Sequence, residues 1–192
     1  SNNATGDGFD CHAYNNQEGG NGGNGGGIAN FGSLSIQNCT VENNSSGNGG
    51  DADSYPPMGL CCFNPGAGGD GGGIYNNNQL HIKDSTVRYN KTGNSGSSCH
   101  NQGSCGNPRG GNGGGIYNSG TLGASRCTIH QNAAGSAIDS GCDGACSGDG
   151  GSGGGIYSSG SFSLTDSTIS NNSTGIGAFD SSFFIGEGGH GG

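Results

Sequence analysis

Ile74-Tyr75-Asn76-Asn77-Asn78-Gln79-Leu80-His81-Ile82-Lys83-Asp84-Ser85-Thr86-Val87-Arg88-Tyr89-Asn90-Lys91-Thr92-Gly93 decides the fold, because the chain writes this pattern four times. The twenty-residue module occupies 28–47, 74–93, 116–135 and 156–175 with no insertion or deletion between copies. Aligned on the first residue, the columns are Ile28/Ile74/Ile116/Ile156, Leu34/Leu80/Leu122/Phe162, Ile36/Ile82/Ala124/Leu164, Thr40/Thr86/Thr128/Thr168, Val41/Val87/Ile129/Ile169, Asn44/Asn90/Asn132/Asn172 and Gly47/Gly93/Gly135/Gly175. Fixed columns in tandem copies mark a solenoid, in which each repeat packs only on its neighbours.

Within a module apolar and polar residues alternate over short runs, as in Leu34-Ser35-Ile36, Cys39-Thr40-Val41 and Phe162-Ser163-Leu164. A period of two means strands. No stretch has apolar residues at helical spacing, and each of the 48 glycines would cost a helix about 1 kcal/mol. Three strands of two to four residues, broken at Asn30-Phe31-Gly32, Gln37-Asn38 and Asn43-Asn44, trace a triangular coil. Coils stacked at about 4.8 Å pair each strand with its own copy above and below. The expected fold is therefore all-β, a right-handed three-sided parallel β-helix. Asn44, Asn90, Asn132 and Asn172 then fall at one corner, where their amides can hydrogen-bond along the stack.

The modules are separated by variable inserts, so that 1–192 reads as one repeat domain with inserts at 7–27, 48–73, 94–115, 136–155 and 176–192. Each of the first four inserts ends in x-Gly-Gly-x-Gly-Gly-Gly before the module Ile, as in Asn21 to Gly27 and Arg109 to Gly115, and the last carries the start of a fifth copy at Glu187. A glycine-rich period of three at a fixed phase suits polyproline II segments, which turn once in three residues and pack closely on glycine faces. We therefore expect an ordered glycine ladder rather than a flexible linker. Ser1 to Gly6 matches Ser170 to Gly175, and neither end resembles a polar capping repeat. The array is thus expected either to continue in a longer chain or to be covered by neighbouring copies stacked head to tail.

Only 27% of residues are hydrophobic and Trp is absent, so the core is thin and must be supplemented by ladders and cross-links. The formal charge of −9 with five basic residues, Lys83, Arg88, Lys91, Arg109 and Arg126, argues against nucleic acid and anionic membrane surfaces as partners. No apolar run is long enough to span a bilayer. Nine cysteines in a small glycine-rich chain point to an oxidising, extracellular setting. Seven of them lie in inserts and are the disulfide candidates: Cys11, Cys61, Cys62, Cys99, Cys105, Cys142 and Cys146. Cys39 and Cys127 share a column two coils apart, about 9.6 Å, too far to bridge, and are read as buried thiols. Sequons occur at Asn3, Asn38, Asn43, Asn44, Asn90, Asn171 and Asn172. If Asn is glycosylated, Asn43 and Asn171, beside the corner column rather than in it, are the favoured sites.

Zinc is disfavoured, because Cys142-x-x-x-Cys146, Cys99-His100 and Cys11-His12 lack a second pair at finger-like spacing. Calcium is the one metal with a candidate site, an oxygen cage of insert carboxylates such as Asp51, Asp53, Asp139, Asp143 and Asp149, and no other cofactor is implied. Catalysis has no candidate. The outward rows carry Ser35/His81/Gly123/Ser163 and Thr40/Thr86/Thr128/Thr168, with no file of carboxylates of the kind glycoside-cleaving enzymes need. His130 has no nucleophile placed with it by motif. We read the chain as a non-enzyme. The Thr row is the basis of an alternative reading, ice binding, although such a face usually has two files of Thr and the companion row here is irregular.

Gly72-Gly73-Ile74-Tyr75-Asn76, Gly114-Gly115-Ile116-Tyr117-Asn118-Ser119-Gly120-Thr121-Leu122 and Asp166-Ser167-Thr168-Ile169-Ser170-Asn171-Asn172 resemble the Gly-Gly-Ile-Tyr-Asn repeats of right-handed parallel β-helix surface proteins, among them the polymorphic outer-membrane protein repeats. The resemblance covers the four modules. It implies a cell-surface or secreted scaffold, stalk or adhesin, and says more about fold than function. The function expected is an extracellular structural or adhesive repeat protein assembling head to tail into filaments, with ice binding and glycan-binding adhesion as alternatives.

Overall fold

The computed structural model describes residues 2–10, 18–52, 54–55, 60–61, 64–97, 106–138, 148–178 and 186–191, with backbone alone at 54–55 and 60–61. Each module folds into three strands: β1 (Ile28–Asn30), β2 (Ser33–Gln37) and β3 (Thr40–Glu42) in coil 1. A short antiparallel pair, β4 (Ser54–Tyr55) and β5 (Leu60–Cys61), lies in the second insert. Coil 2 holds β6 (Ile74–Asn76), β7 (Gln79–Lys83) and β8 (Thr86–Arg88), and coil 3 holds β9 (Ile116–Asn118), β10 (Thr121–Ser125) and β11 (Thr128–His130). Coil 4 holds β12 (Ile156–Ser158), β13 (Ser161–Thr165) and β14 (Thr168–Ser170). The middle strand has five residues, longer than the two to four expected.

Like strands stack into three parallel four-stranded sheets, β1-β6-β9-β12, β2-β7-β10-β13 and β3-β8-β11-β14. The register follows the sequence columns without slip, for example Ile28↔Ile74↔Ile116↔Ile156 and Thr40↔Thr86↔Thr128↔Thr168. This is the expected three-sided parallel solenoid. Alternate side chains point inward, and Ile74, Leu80, Ile82, Val87, Ile116, Leu122 and Ile129 form its core.

The coil turns sharply twice outside the first corner. Residues with left-handed backbone occupy the same two places in every coil, Asn38/Asp84/Arg126/Asp166 between the second and third strands and Asn43/Tyr89/Gln131/Asn171 after the third. Asn and Asp fill five of these eight places, consistent with their tolerance of that conformation. A third turn leads from each glycine cassette into the first strand, and there Gly25, Gly71, Gly113, Gly153 and Gly191 have φ of 65–72°.

The inserts build a second body alongside the solenoid. Segments leaving the modules, 5–10, 46–52, 92–97, 134–138 and 174–178, form one layer, and segments returning to them, 18–25, 64–71, 106–113, 148–153 and 186–191, form the other. Within each layer an N–H donates to the next level, as from Gly8 to Asn48 O, Gly49 to Asn94 O, Gly22 to Ala67 O and Gly68 to Arg109 O. Donors in the returning layer recur every third residue, Gly19, Gly22 and Gly25, the three-residue turn expected of polyproline II. Between layers the bonds run back toward the first level: Gly111 N to Gly93 O, Gly135 N to Gly111 O, Gly151 N to Gly135 O, Gly175 N to Gly151 O. Hydroxyls reinforce this zigzag. Thr92 Oγ1 donates to Gly111 O and accepts from Gly135 N, and Ser46 Oγ links Gly93 N to Gly69 O. The glycine ladder is thus ordered.

Two variants test the two bodies. Ile82→Asp places an unpaired carboxylate in the solenoid core and should lower unfolding free energy by roughly 3–5 kcal/mol, read by denaturant unfolding. A Cβ on Gly135 would collide with Gly93 O, whereas one on Gly32 meets nothing. Gly135→Ala should therefore cost roughly 1–3 kcal/mol while Gly32→Ala leaves the melting temperature almost unchanged.

Candidate functional site

The parts able to carry function here are the side-chain ladders that run along the stack, the outward faces of the sheets and the two ends.

The corner asparagines are a hydrogen-bonded ladder, as expected. Asn44 Nδ2 donates to Asn90 Oδ1 at 2.9 Å, Asn90 Nδ2 to Asn132 Oδ1 at 3.0 Å and Asn132 Nδ2 to Asn172 Oδ1 at 3.0 Å. The same oxygens accept the backbone N–H of the preceding asparagine. Each Nδ2 from Asn90 onward also reaches back to a carbonyl of the third strand one coil earlier, Val41, Val87 or Ile129. Asn3 joins the top of this ladder through Asn44 Oδ1. A second ladder, not anticipated from sequence, stands at the first corner: Asn30 to Asn76 to Asn118 to Ser158, at 2.7, 2.7 and 2.9 Å. Its signal was the aligned third residue of each module.

Outward neighbours of this second ladder form an aromatic column. Tyr75, Tyr117 and Tyr157 stack with ring centroids 5.0 and 5.3 Å apart and nearly parallel planes. The first coil has Ala29 in this column, and Phe31 leans over Tyr75 in its place, 5.9 Å away and tilted. Burial raises the Tyr117 phenol above its ordinary range, with the Asp70 carboxylate adding to the effect. Asp70 in turn holds Arg109 through two hydrogen bonds, 2.8 and 2.9 Å, which keep that guanidinium protonated.

Among the described residues, arginines make ion pairs between adjacent levels: Glu42–Arg88, Asp70–Arg109 and Asp84–Arg126. The Arg126 hydrogen bond holds the half-buried Asp84 carboxyl below the usual carboxylate range. In the inserts, the x of each Gly-Gly-x triplet accepts from the next level's backbone, as Asn24 does from Asp70 N, Asp70 from Asn112 N and Asn112 from Ser152 N. Among the carboxylates considered for calcium, Asp51 accepts from Ser97 N and Asp149 from Glu187 N. Asp53, Asp139 and Asp143 lie outside the described residues, as do Cys11, Cys62, Cys99, Cys105, Cys142 and Cys146; the side chain of Cys61 is likewise undescribed. Among the described residues no three His, Cys, Asp or Glu side chains gather as a metal site.

Thr40, Thr86, Thr128 and Thr168 form one outward row in register. On the same strands the next outward row is Glu42/Arg88/His130/Ser170, so the threonines have no second file there. His130 stands at a strand end against Gln131 and the edge of Tyr89. Cys127 is buried, but Cys39 is exposed, which corrects the expectation of two buried thiols. Both occupy one column; coil 1 has no strands above it to cover Cys39.

The same end effect decides the apolar columns. Leu80, Leu122, Val87 and Ile129 are at most 1% exposed, while their coil 4 counterparts Phe162 and Ile169 are 54% and 43% exposed. With Ile156 they line an open hollow at the last coil. At the other end, the half-buried Ile28 and Leu34 complete their columns, and a groove opens between Asn3, Gly27, Ile28, Val41 and Asn44. No helix among the described residues is long and apolar enough to cross a membrane. No family model, curated protein or solved structure matches the chain.

Asn90→Ala removes an amide with four buried hydrogen-bonding partners, each costing ~1–3 kcal/mol when left unpaired, and should destabilise by roughly 3 kcal/mol or more. Asn43→Gly, at an exposed left-handed turn, should change stability little. Expressed in a host that glycosylates Asn, the chain should carry sugar at the exposed Asn43 and Asn171 and not at the buried Asn44 or Asn90, as read by peptide mass spectrometry.

Proposed function

We propose that this chain is an extracellular structural or adhesive repeat element whose stacks join head to tail into filaments. The observation that carries this reading is the contrast between column interiors and ends. The middle of every apolar column is sealed, whereas Phe162 and Ile169 face solvent at one end and Ile28 and Leu34 are incompletely covered at the other. Covering each such side chain fully contributes roughly 1.5–3 kcal/mol. Among the described residues strands β1, β2 and β3, and likewise β12, β13 and β14, pair on one side only, and a further coil on either side would pair with them. A copy placed in the same orientation continues the stacking direction, and such a heterologous contact propagates without closing. The many cysteines, the acidic charge and the resemblance to surface β-helix repeats favour an extracellular setting.

Negative-stain images of concentrated native material should show long unbranched fibres, and light scattering should rise with concentration. Phe162→Lys together with Ile169→Lys should abolish the rise while the coil 2 and coil 3 core stays folded. A chain that remains monomeric at high concentration overturns the filament; ice shaping or retention on a glycan surface would then take its place.

A further inference from the structure

The middle sheet, β2-β7-β10-β13, turns alternate residues of every strand outward, and none of the chain's 14 acidic residues stands among them. These positions carry hydroxyls, amides, one imidazole, one ammonium and one glycine. At the glycine, Gly123, the face is half-buried and a hollow of about 300 Å³ opens over it. His81 stands on one side of Gly123 in its row and Ser163 on the other, with Lys83, Ser125 and Thr165 in the adjacent row. The His81 imidazole leans into the gap: its Nδ1 lies 3.0 Å from where a Gly123 Cβ would sit, and no atom beyond that ring and the adjoining residues comes within 4 Å. All four coils contribute to the lining, so the hollow belongs to the side of the stack and not to an end.

We propose that this hollow binds a carboxylated sugar, a hexuronic acid unit of a glycan. Its volume is at the small end of ligand pockets and suits one sugar ring. The hydroxyls of Ser125, Ser163 and Thr165 and the imidazole of His81 can each donate and accept, as a ring of sugar hydroxyls requires. Among the described residues none of these side chains hydrogen-bonds within the protein. Lys83 supplies the charge. It acts on the Asp84 carboxylate, but Arg126 already holds that group at 2.6 and 2.9 Å, and Asp166 acts on Arg126 as well. Lys83 therefore makes no ion pair of its own among the described residues, whereas Arg88, Arg109 and Arg126 each make one. A carboxylate over Gly123 would give it a charge-assisted hydrogen bond, about twice as strong as a neutral one. The net charge of −9 opposes any anion, yet at physiological ionic strength exposed charges beyond about 8 Å are largely screened. The acid-free face and Lys83 then decide.

This site rests on the adhesive part of the function proposed above and names the chemistry that would be held. It needs no contact between copies.

The test titrates methyl β-glucuronide into the isotope-labelled chain, at concentrations where the chain is monodisperse, and reads amide and imidazole NMR shifts. Saturable shifts centred on His81, Lys83, Gly123 and Ser163 are expected, with a dissociation constant on the order of 1 mM. Methyl β-glucoside, the same ring without the carboxylate, should bind at least fivefold more weakly, and Lys83→Gln should remove that preference. Gly123→Val should abolish binding of both sugars with little change in melting temperature. Its Cβ meets only the end of the His81 side chain, and a β-branched residue suits a strand. Absence of saturable shifts, shifts centred on another face, equal binding of the two sugars, or a preference that survives Lys83→Gln overturns the site. Fibres formed by a chain that ignores the glucuronide overturn this site alone, whereas glucuronide binding by a chain that never forms fibres sustains it and overturns the filament.

Discussion

Every level of this molecule is held to the next by a hydrogen bond between identical groups, and the amide of Asn90 shows what that requires. Its oxygen takes two donors from Asn44, and its nitrogen gives one bond back to Val41 O and one forward to Asn132. A primary amide can do this because it is donor and acceptor at once, so that copies of one residue satisfy one another without a second partner type. The consequence is strict register. A coil displaced by one residue would bury amides without partners, at a cost larger than a thin core can offset. The strands, turns and inserts all inherit their alignment from that restriction.

The glycine layers obey the same logic with backbone groups. Where the solenoid has large side chains to fill the space between sheets, the insert layers have glycine and a few small residues such as Ser46 and Thr92; the two layers approach until a carbonyl of one meets an N–H of the other. Any Cβ at Gly22, Gly47 or Gly135 would meet that carbonyl. A chain with few apolar residues thus builds a second ordered body without a large hydrophobic core, and the x residues, Asn, Asp and Ser, bond from one level to the next along it.

What the sequence made legible was whatever repeats unchanged. Identical spacing among the four modules dictated strands, sheets and register, and the invariant Asn44 column dictated a ladder. The tyrosine stack was hidden because its first member is Ala29, with Phe31 substituting from two residues away. The second amide ladder ends in Ser158, so its column looks mixed even though a hydroxyl serves as acceptor there. Cys39 was misjudged for a different reason: a column assigns direction to a side chain, while exposure also depends on whether another coil lies above. Position in the stack, rather than position in the module, decides Cys39, Phe162 and Ile169.

The hydrogen bonds of the glycine layers point both ways along the stack. Those within a layer, such as Gly22 to Ala67 and Gly49 to Asn94, have their donors nearer the first level; those between layers, such as Gly135 to Gly111, have them nearer the last. In an α-helix all peptide dipoles align and their sum builds charge at the two termini. Here the two sets oppose each other, and in sheets strand dipoles are small in net effect. Adding levels to such a stack accumulates little axial dipole, so its backbone dipoles set no length at which elongation becomes unfavourable.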